Sequence, residues 1–281
     1  MMDIKNAFRK IESRASNAIK QEDGDYLSKD GLLICGKCHT PKQVRIEVFG
    51  ETRTPMCLCQ CAKAHLEAEA EERQRQERME RIRGLRKMGF SDAEMQGWTF
   101  ANDDNSNKRV SEIARRYAEN FREMKGRNKG LLFYGTVGTG KTFAAACIAN
   151  ALIDKGVPAL VTNFARLTNT IGGMYEGKQQ YIDGLSRFDL LVIDDLASER
   201  DTEYMNEIVF QIIDSRYRSG LPLIVTTNLT AEEIKHPAEV KRQRIFSRLL
   251  EMCIPVEVKG ADRRKEALKS DFNELKDLLG L

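Results

Sequence analysis

The chain has 281 residues and a formal net charge of +3, with 31% charged and 7% aromatic residues. That balance excludes binding driven by a global electrostatic field, so any nucleic-acid contact must come from local clusters of Lys and Arg. No apolar run approaches the roughly 18 residues of a membrane-spanning helix, and residues 1–14 lack the apolar stretch of a signal peptide, so a soluble cytoplasmic protein without membrane contact is expected.

Residues 2–21 repeat apolar side chains at Ile4, Phe8, Ile11, Ala15 and Ile19, which predicts an amphipathic helix. Cysteines follow: Cys35-Gly-Lys-Cys38 is a C-x-x-C turn, and Cys57-Leu-Cys59-Gln-Cys61 comes after a segment that alternates like a hairpin around Gly50. A tetrahedral Zn²⁺ takes four soft ligands, and two short cysteine turns joined by a hairpin supply them. Five cysteines compete for four positions. Cys35 and Cys38 with Cys59 and Cys61 form the favoured set, with Cys57, His39 and His65 behind them. In a reducing compartment clustered cysteines favour metal over disulfides, whereas the isolated Cys147 and Cys253 read as buried structural residues.

Residues 62–83 carry six acids and six bases. Glu69/Arg73, Glu71/Arg75 and Glu77/Arg81 are acid-before-base pairs four apart, the favourable order on a helix, so this stretch reads as a solvated helical linker. Ser91-Asp-Ala-Glu94 has the form of a capping box and predicts a short helix. Val110, Ile113, Ala114, Tyr117, Phe121 and Met124 mark an amphipathic helix ending near Gly126. From Leu131 to about Val258 short apolar strands alternate with helical patterns, which predicts an α/β domain with a mostly parallel sheet. The expected organisation is an N-terminal helix and zinc module over 1–61, a helical linker over 62–96 and this α/β domain over 97–281.

Strand Leu131–Tyr134 runs directly into Gly135-Thr136-Val137-Gly138-Thr139-Gly140-Lys141-Thr142, and Phe143 opens a helix. This is the strand–loop–helix context of G-x-x-x-x-G-K-[ST]. Backbone N–H groups of such a loop turn onto phosphate oxygens, and the helix N-terminus adds its positive end. Lys141 is placed to reach the β- and γ-phosphates of ATP, and Thr142 to hold Mg²⁺. A buried strand, Leu190–Ile193, then ends in Asp194-Asp195. Asp194 suits Mg²⁺, and Asp195 is placed to polarise an attacking water. Strand Leu223–Thr227 ends at Asn228, an amide suited to sense the γ-phosphate or the water, ahead of a second capping box at Thr230–Glu233.

GTVGTGKT, LLVIDDL, IVFQIIDSRYRSGLPLIVTTN and RIFSRLLEMC together resemble the DnaC-type bacterial and phage helicase loaders and the related IstB-type transposition ATPases, over roughly residues 98–270. The resemblance implies an AAA+ P-loop ATPase without a helical lid, acting in a bacterial cytoplasm and encoded by host or phage. It implies that Arg248 is an arginine finger reaching the γ-phosphate of a neighbouring subunit, with Arg244 a weaker candidate. Arg263, or its neighbour Arg264, matches the second sensor arginine. Thr202-Glu203-Tyr204 and Tyr175 match contacts to single-stranded DNA. The implied function is ATP-dependent loading of a DnaB-type replicative helicase onto single-stranded DNA, by a homo-oligomer whose zinc module holds the helicase. The rival readings are an IstB-like helper of transposition and a regulatory nucleotide-binding module with little turnover.

Overall fold

The computed structural model describes residues 21–48, 50–196, 203–263 and 276. The helix expected over 2–21, the Thr202 contact and Arg264 therefore lie outside the described residues. The chain divides into two compact units, residues 1–78 and 79–281.

In the first unit, β1 (Tyr26–Leu27) pairs antiparallel with β2 (Leu33–Ile34), and β3 (Ile46–Val48) with β4 (Glu51–Arg53). The second hairpin turns at Gly50, whose φ of 78° falls in the left-handed region that glycine enters freely. Lys42 is buried and its ammonium lies 2.7 Å from the Asp25 carboxylate, which also accepts the N–H groups of Glu22 and Gly36. The hydrogen bond from Lys42, reinforced by those amides, lowers the Asp25 pKa to about 2.

Helix α1 (Gln60–Gly89) carries the charged segment, and nearly all of its side chains before Leu85 face solvent. Its last turns differ from a solvated linker. Leu85, Gly89 and Phe90 are buried, and Leu85 and Phe90 join the apolar core of the second unit. The second compact unit begins at Met79, ahead of residue 97. The predicted helix at Ser91 is also replaced: Ser91 spends both its N–H and its hydroxyl on the Val161 carbonyl, and two 3₁₀ turns, Glu94–Gly97 and Phe100–Asn102, follow.

The predicted amphipathic helix appears as α2 (Lys108–Glu119) and α3 (Phe121–Gly126), with Val110, Ala114, Tyr117 and Phe121 buried. The rest of the second unit is β5 (Gly130–Tyr134), α4 (Lys141–Asp154), β6 (Ala159–Asn163), α5 (Phe164–Gly172), α6 (Lys178–Gly184), β7 (Leu190–Leu196), α7 (Glu203–Ser219), β8 (Leu223–Thr227), α8 (Ala231–Lys235), α9 (Val240–Met252) and β9 (Cys253–Glu257). The five strands form one parallel sheet in the order β6-β7-β8-β5-β9. Period-two alternation sends Leu131, Phe133, Leu190, Val192 and Ile224 to the core on one face, and Leu132, Leu191, Ile193, Leu223 and Val225 to the core on the other. Both faces are covered, as an all-parallel sheet requires.

Arg216 ties the entrances of two central strands together. It is 2% exposed, and its guanidinium donates to the carbonyls of Phe188, Asp189 and Pro222, which precede β7 and β8. Five N–H donors in a fixed fork meet three carbonyls that would otherwise be buried near the strand starts.

Candidate functional site

The strand order puts β8 between the P-loop strand β5 and the acidic strand β7, so the C-terminal ends of three neighbouring strands meet at one rim of the sheet. An open cleft of about 840 Å³ lies there. Its walls include Trp98, Gly138–Phe143, Asp194, Asp195, Thr226, Asn228 and Arg263.

The loop after β5 has the backbone of an anion cradle. Gly138 (φ 77°) and Gly140 (φ 92°) both adopt left-handed conformations, and Gly140 is the N-cap of α4. A Cβ at Gly140 would press on the Arg263 guanidinium at 3.2 Å. Lys141 is buried, and its ammonium donates to the carbonyls of Gly135 (2.9 Å) and Thr136 (2.6 Å), within the loop it belongs to. Thr139 closes the loop through a bond to the Thr136 carbonyl, while Val137 projects into solvent.

Opposite the loop, the Asp194 carboxylate receives the Thr142 hydroxyl at 2.7 Å and the Thr226 hydroxyl at 2.5 Å, both on Oδ1. Burial raises the pKa of Asp194, and these two hydroxyls oppose the shift. Asp195 stands at an irregularity of the β7–β8 ladder with φ 60°, which turns its side chain out of the strand's alternation. Asn228 Nδ2 donates to Asp195 Oδ1 at 3.0 Å. Sequence reasoning missed Thr226. Its buried hydroxyl donates to Asp194 and accepts the Asp195 N–H at 2.9 Å, so one side chain fixes both acids. Its one signal is position: it lies two residues before Asn228 on the strand beside the acids.

The two arginines separate. Arg263 lies at the cleft. Its N–H bonds the Gly138 carbonyl, its Cζ stands 5.8 Å from the Phe143 ring, and its guanidinium pairs with Asp104 and Ser106. Arg248 does not line the cleft of its own chain. It sits on α9 and donates to Asp214 of α7. Tyr175 and Tyr204 are both exposed, and the Lys178 ammonium bonds the Tyr204 hydroxyl at 3.1 Å.

In the first unit, the thiols of Cys35, Cys38, Cys59 and Cys61 all lie within 4.8 Å of one another. Cys35–Cys61 is 3.6 Å and Cys59–Cys61 is 3.4 Å, close to the separation of about 3.8 Å between sulfurs around a tetrahedral zinc. The donor set is therefore chemically apt for Zn²⁺. Cys57 is left out, its thiol turned to the Pro41 carbonyl at 3.5 Å. His39 bonds Tyr26, and His65 lies beside Glu69. The hydroxyl of Thr40, with neighbouring backbone amides, lowers the Cys38 pKa to about 5. Hydrogen bonds with Cys59, Cys38 and Cys35 push Cys61 to about 12. Cys147 and Cys253 are buried, the latter bonding the Leu223 carbonyl.

Residues 56–270 match the family described as IstB-like ATP binding protein. The chain belongs to that family. This IstB-like ATP-binding chain is 24% identical over 207 residues to the replicative helicase loader DnaI of Bacillus subtilis (strain 168), covering 67% of this chain and 65% of that protein. It is 31% identical over 140 residues to the replicative helicase loader DnaC of Escherichia coli (strain K12), covering 48% of this chain and 55% of that protein. It thus spans roughly half to two thirds of the length of these relatives. A crystal structure of DnaI shares its fold, with a TM-score of 0.53 and 24% identity over 64% of this chain and 98% of that one. What the two share is a parallel five-strand α/β sheet covered by helices on both faces. Among the described residues, no helix is long and apolar enough to cross a membrane.

Proposed function

We propose that this protein is an ATPase that loads a DnaB-type replicative helicase onto single-stranded DNA in the bacterial cytoplasm. The observation that carries the ATPase reading is the paired geometry at the sheet rim, where Thr142 and Thr226 hold Asp194 while Asn228 holds Asp195. The alignment with two helicase loaders supports the biological half.

The residues present fit MgATP. The loop N–H groups at Gly138–Thr142 and the α4 N-terminus receive phosphate oxygens, and Lys141 exchanges its loop carbonyls for the β- and γ-phosphates. Thr142 and Asp194 would hold Mg²⁺, which when bound neutralises charge on those phosphates. Asp195 orients the attacking water and takes its proton, and Asn228 fixes the Asp195 carboxylate. Arg263 meets the phosphates from the same chain, and Arg248 from a neighbouring copy in an ATP-dependent homo-oligomer. Cys35, Cys38, Cys59 and Cys61 would hold Zn²⁺, which would tie the two cysteine turns together beneath the surface that grips the helicase. Tyr175 and Tyr204 offer faces on which bases stack without regard to sequence.

Thr226→Val keeps the shape of the side chain and removes its hydroxyl. Asp194 then loses one donor and the Asp195 N–H its acceptor, a loss of about 1–2 kcal/mol. ATP turnover should fall about tenfold, with ATP affinity unchanged, in steady-state phosphate release.

Co-purification with the replicative helicase of the same genome tests the loader function. The full chain is expected to retain the helicase, and a Cys59→Ser/Cys61→Ser chain to lose it. Absence of binding by the full chain, with ATP turnover stimulated by duplex DNA, would instead identify the IstB-like transposition helper.

A further inference from the structure

We propose that Asp214 is a positioning residue for Arg248, holding its guanidinium in the orientation from which it meets the γ-phosphate bound by a neighbouring copy. This rests on the reading of Arg248 as an arginine finger.

Helix α7 presents Phe210, Asp214, Tyr217 and Arg218 at a spacing of four, three and one, which places them on one face toward α9. Arg248 Nε donates to Asp214 Oδ1 at 2.8 Å. Its Cζ lies 4.7 Å from the Phe210 ring centre and 5.9 Å from that of Tyr217, so aromatic faces restrict the plane of the guanidinium. Tyr217 is itself anchored by a 2.8 Å bond to Glu251, one turn further along α9. The remaining contact, Arg248 Nη1 to the Arg244 carbonyl, is long at 3.5 Å.

This arrangement occupies the Nε edge and asks of the Nη1/Nη2 pair, the planar fork that suits a phosphoryl group, only the long bond to the Arg244 carbonyl. An arginine held only for stability would be expected to spend its Nη groups within the fold, as Arg216 does on three carbonyls. The Asp214 side chain is 17% exposed, so solvent screens the pair weakly. Its other oxygen takes Arg218, whose side chain is 69% exposed. The carboxylate therefore bridges two cations, and a flexible side chain is ordered before it meets a partner. Ordering it in advance lowers the entropy that must be lost when the neighbour's nucleotide arrives.

The test uses the full chain, assayed for ATP turnover across ATP concentrations with single-stranded DNA present. Asp214→Ala should lower kcat about tenfold and leave KM for ATP unchanged. Asp214→Asn should restore most of that loss, because its Oδ1 still accepts the Nε–H, and Arg218→Ala should behave as the unaltered chain. In an Arg248→Ala background, Asp214→Ala should cause no further loss. If the alanine variant loses cooperative unfolding, Asp214→Leu, of similar volume and without an acceptor, takes its place. Arg248→Ala with unaltered kcat would overturn the finger reading and the proposal with it. A low kcat for Arg248→Ala beside a normal one for Asp214→Ala would overturn the proposal alone. An additive loss in the double variant would do the same, since it would show Asp214 acting by another route.

Discussion

An Asp195→Asn chain is expected to turn over ATP about a hundredfold to a thousandfold more slowly than the unaltered chain, with nucleotide affinity nearly unchanged. The substitution is close to isosteric. An amide oxygen still accepts from Asn228 Nδ2, and Asn tolerates the left-handed backbone that Asp195 adopts at φ 60°. What disappears is the charge that orients a water and accepts its proton. Asp194, one residue away, cannot substitute, because two threonine hydroxyls already converge on its Oδ1 and burial raises its pKa. Phosphate release at saturating ATP, set beside fluorescent-nucleotide binding, separates the two effects. Unaltered turnover would remove Asp195 from this role.

The second large effect concerns the cysteine cluster. Replacing Cys59 and Cys61 by Ser should reduce bound zinc from about one equivalent to nearly none and unfold the first unit while the second stays folded. The size of the effect follows from how little else holds residues 21–61 together. Their four strands are two or three residues long, and among the described residues the buried apolar side chains there are Leu33, Ile34, Cys35 and Cys59. A segment this short lacks the surface-to-volume advantage that lets a larger core form, whereas a structural zinc contributes on the order of 10–16 kcal/mol. Cys57→Ser should keep its zinc, because that thiol faces the Pro41 carbonyl rather than the cluster. Metal analysis and limited proteolysis give the two readouts. Less than about half an equivalent in the native chain would exclude the zinc assignment.

Much of the site was legible because its chemistry is local in sequence. Eight consecutive residues form the loop proposed to take phosphate, and Asp194-Asp195 and Asn228 each close an apolar run whose burial forces the next residue to the rim. The sheet followed from the same runs. Three things were not legible, and each depends on a contact across elements. Thr226 reads as an ordinary β-branched strand residue until β8 is known to lie beside β7. Arg216 sits among four charged or polar neighbours in SRYRS, and nothing in that string says that its guanidinium caps two strand entrances. Ser91-Asp-Ala-Glu94 has capping-box chemistry, but the Val161 carbonyl captures Ser91 first. Local propensity there yields to a tertiary partner. By contrast Thr230–Glu233 forms the full reciprocal box, each side chain accepting the other's backbone N–H.

The docking of Phe90 and Ser91 on β6 has a practical reach. β6 is an outer strand, and Phe90 pairs in parallel with Val161 while Ser91 takes the same residue's carbonyl. These two residues act as a selvedge on a sheet whose flank would otherwise be open to strand addition. A fragment beginning at Gly97 would bare that flank together with the greasy socket left by Leu85 and Phe90, a combination that invites edge-to-edge self-association. A fragment beginning at Met79 brings its own hem, and is the one to expect in solution as dispersed molecules.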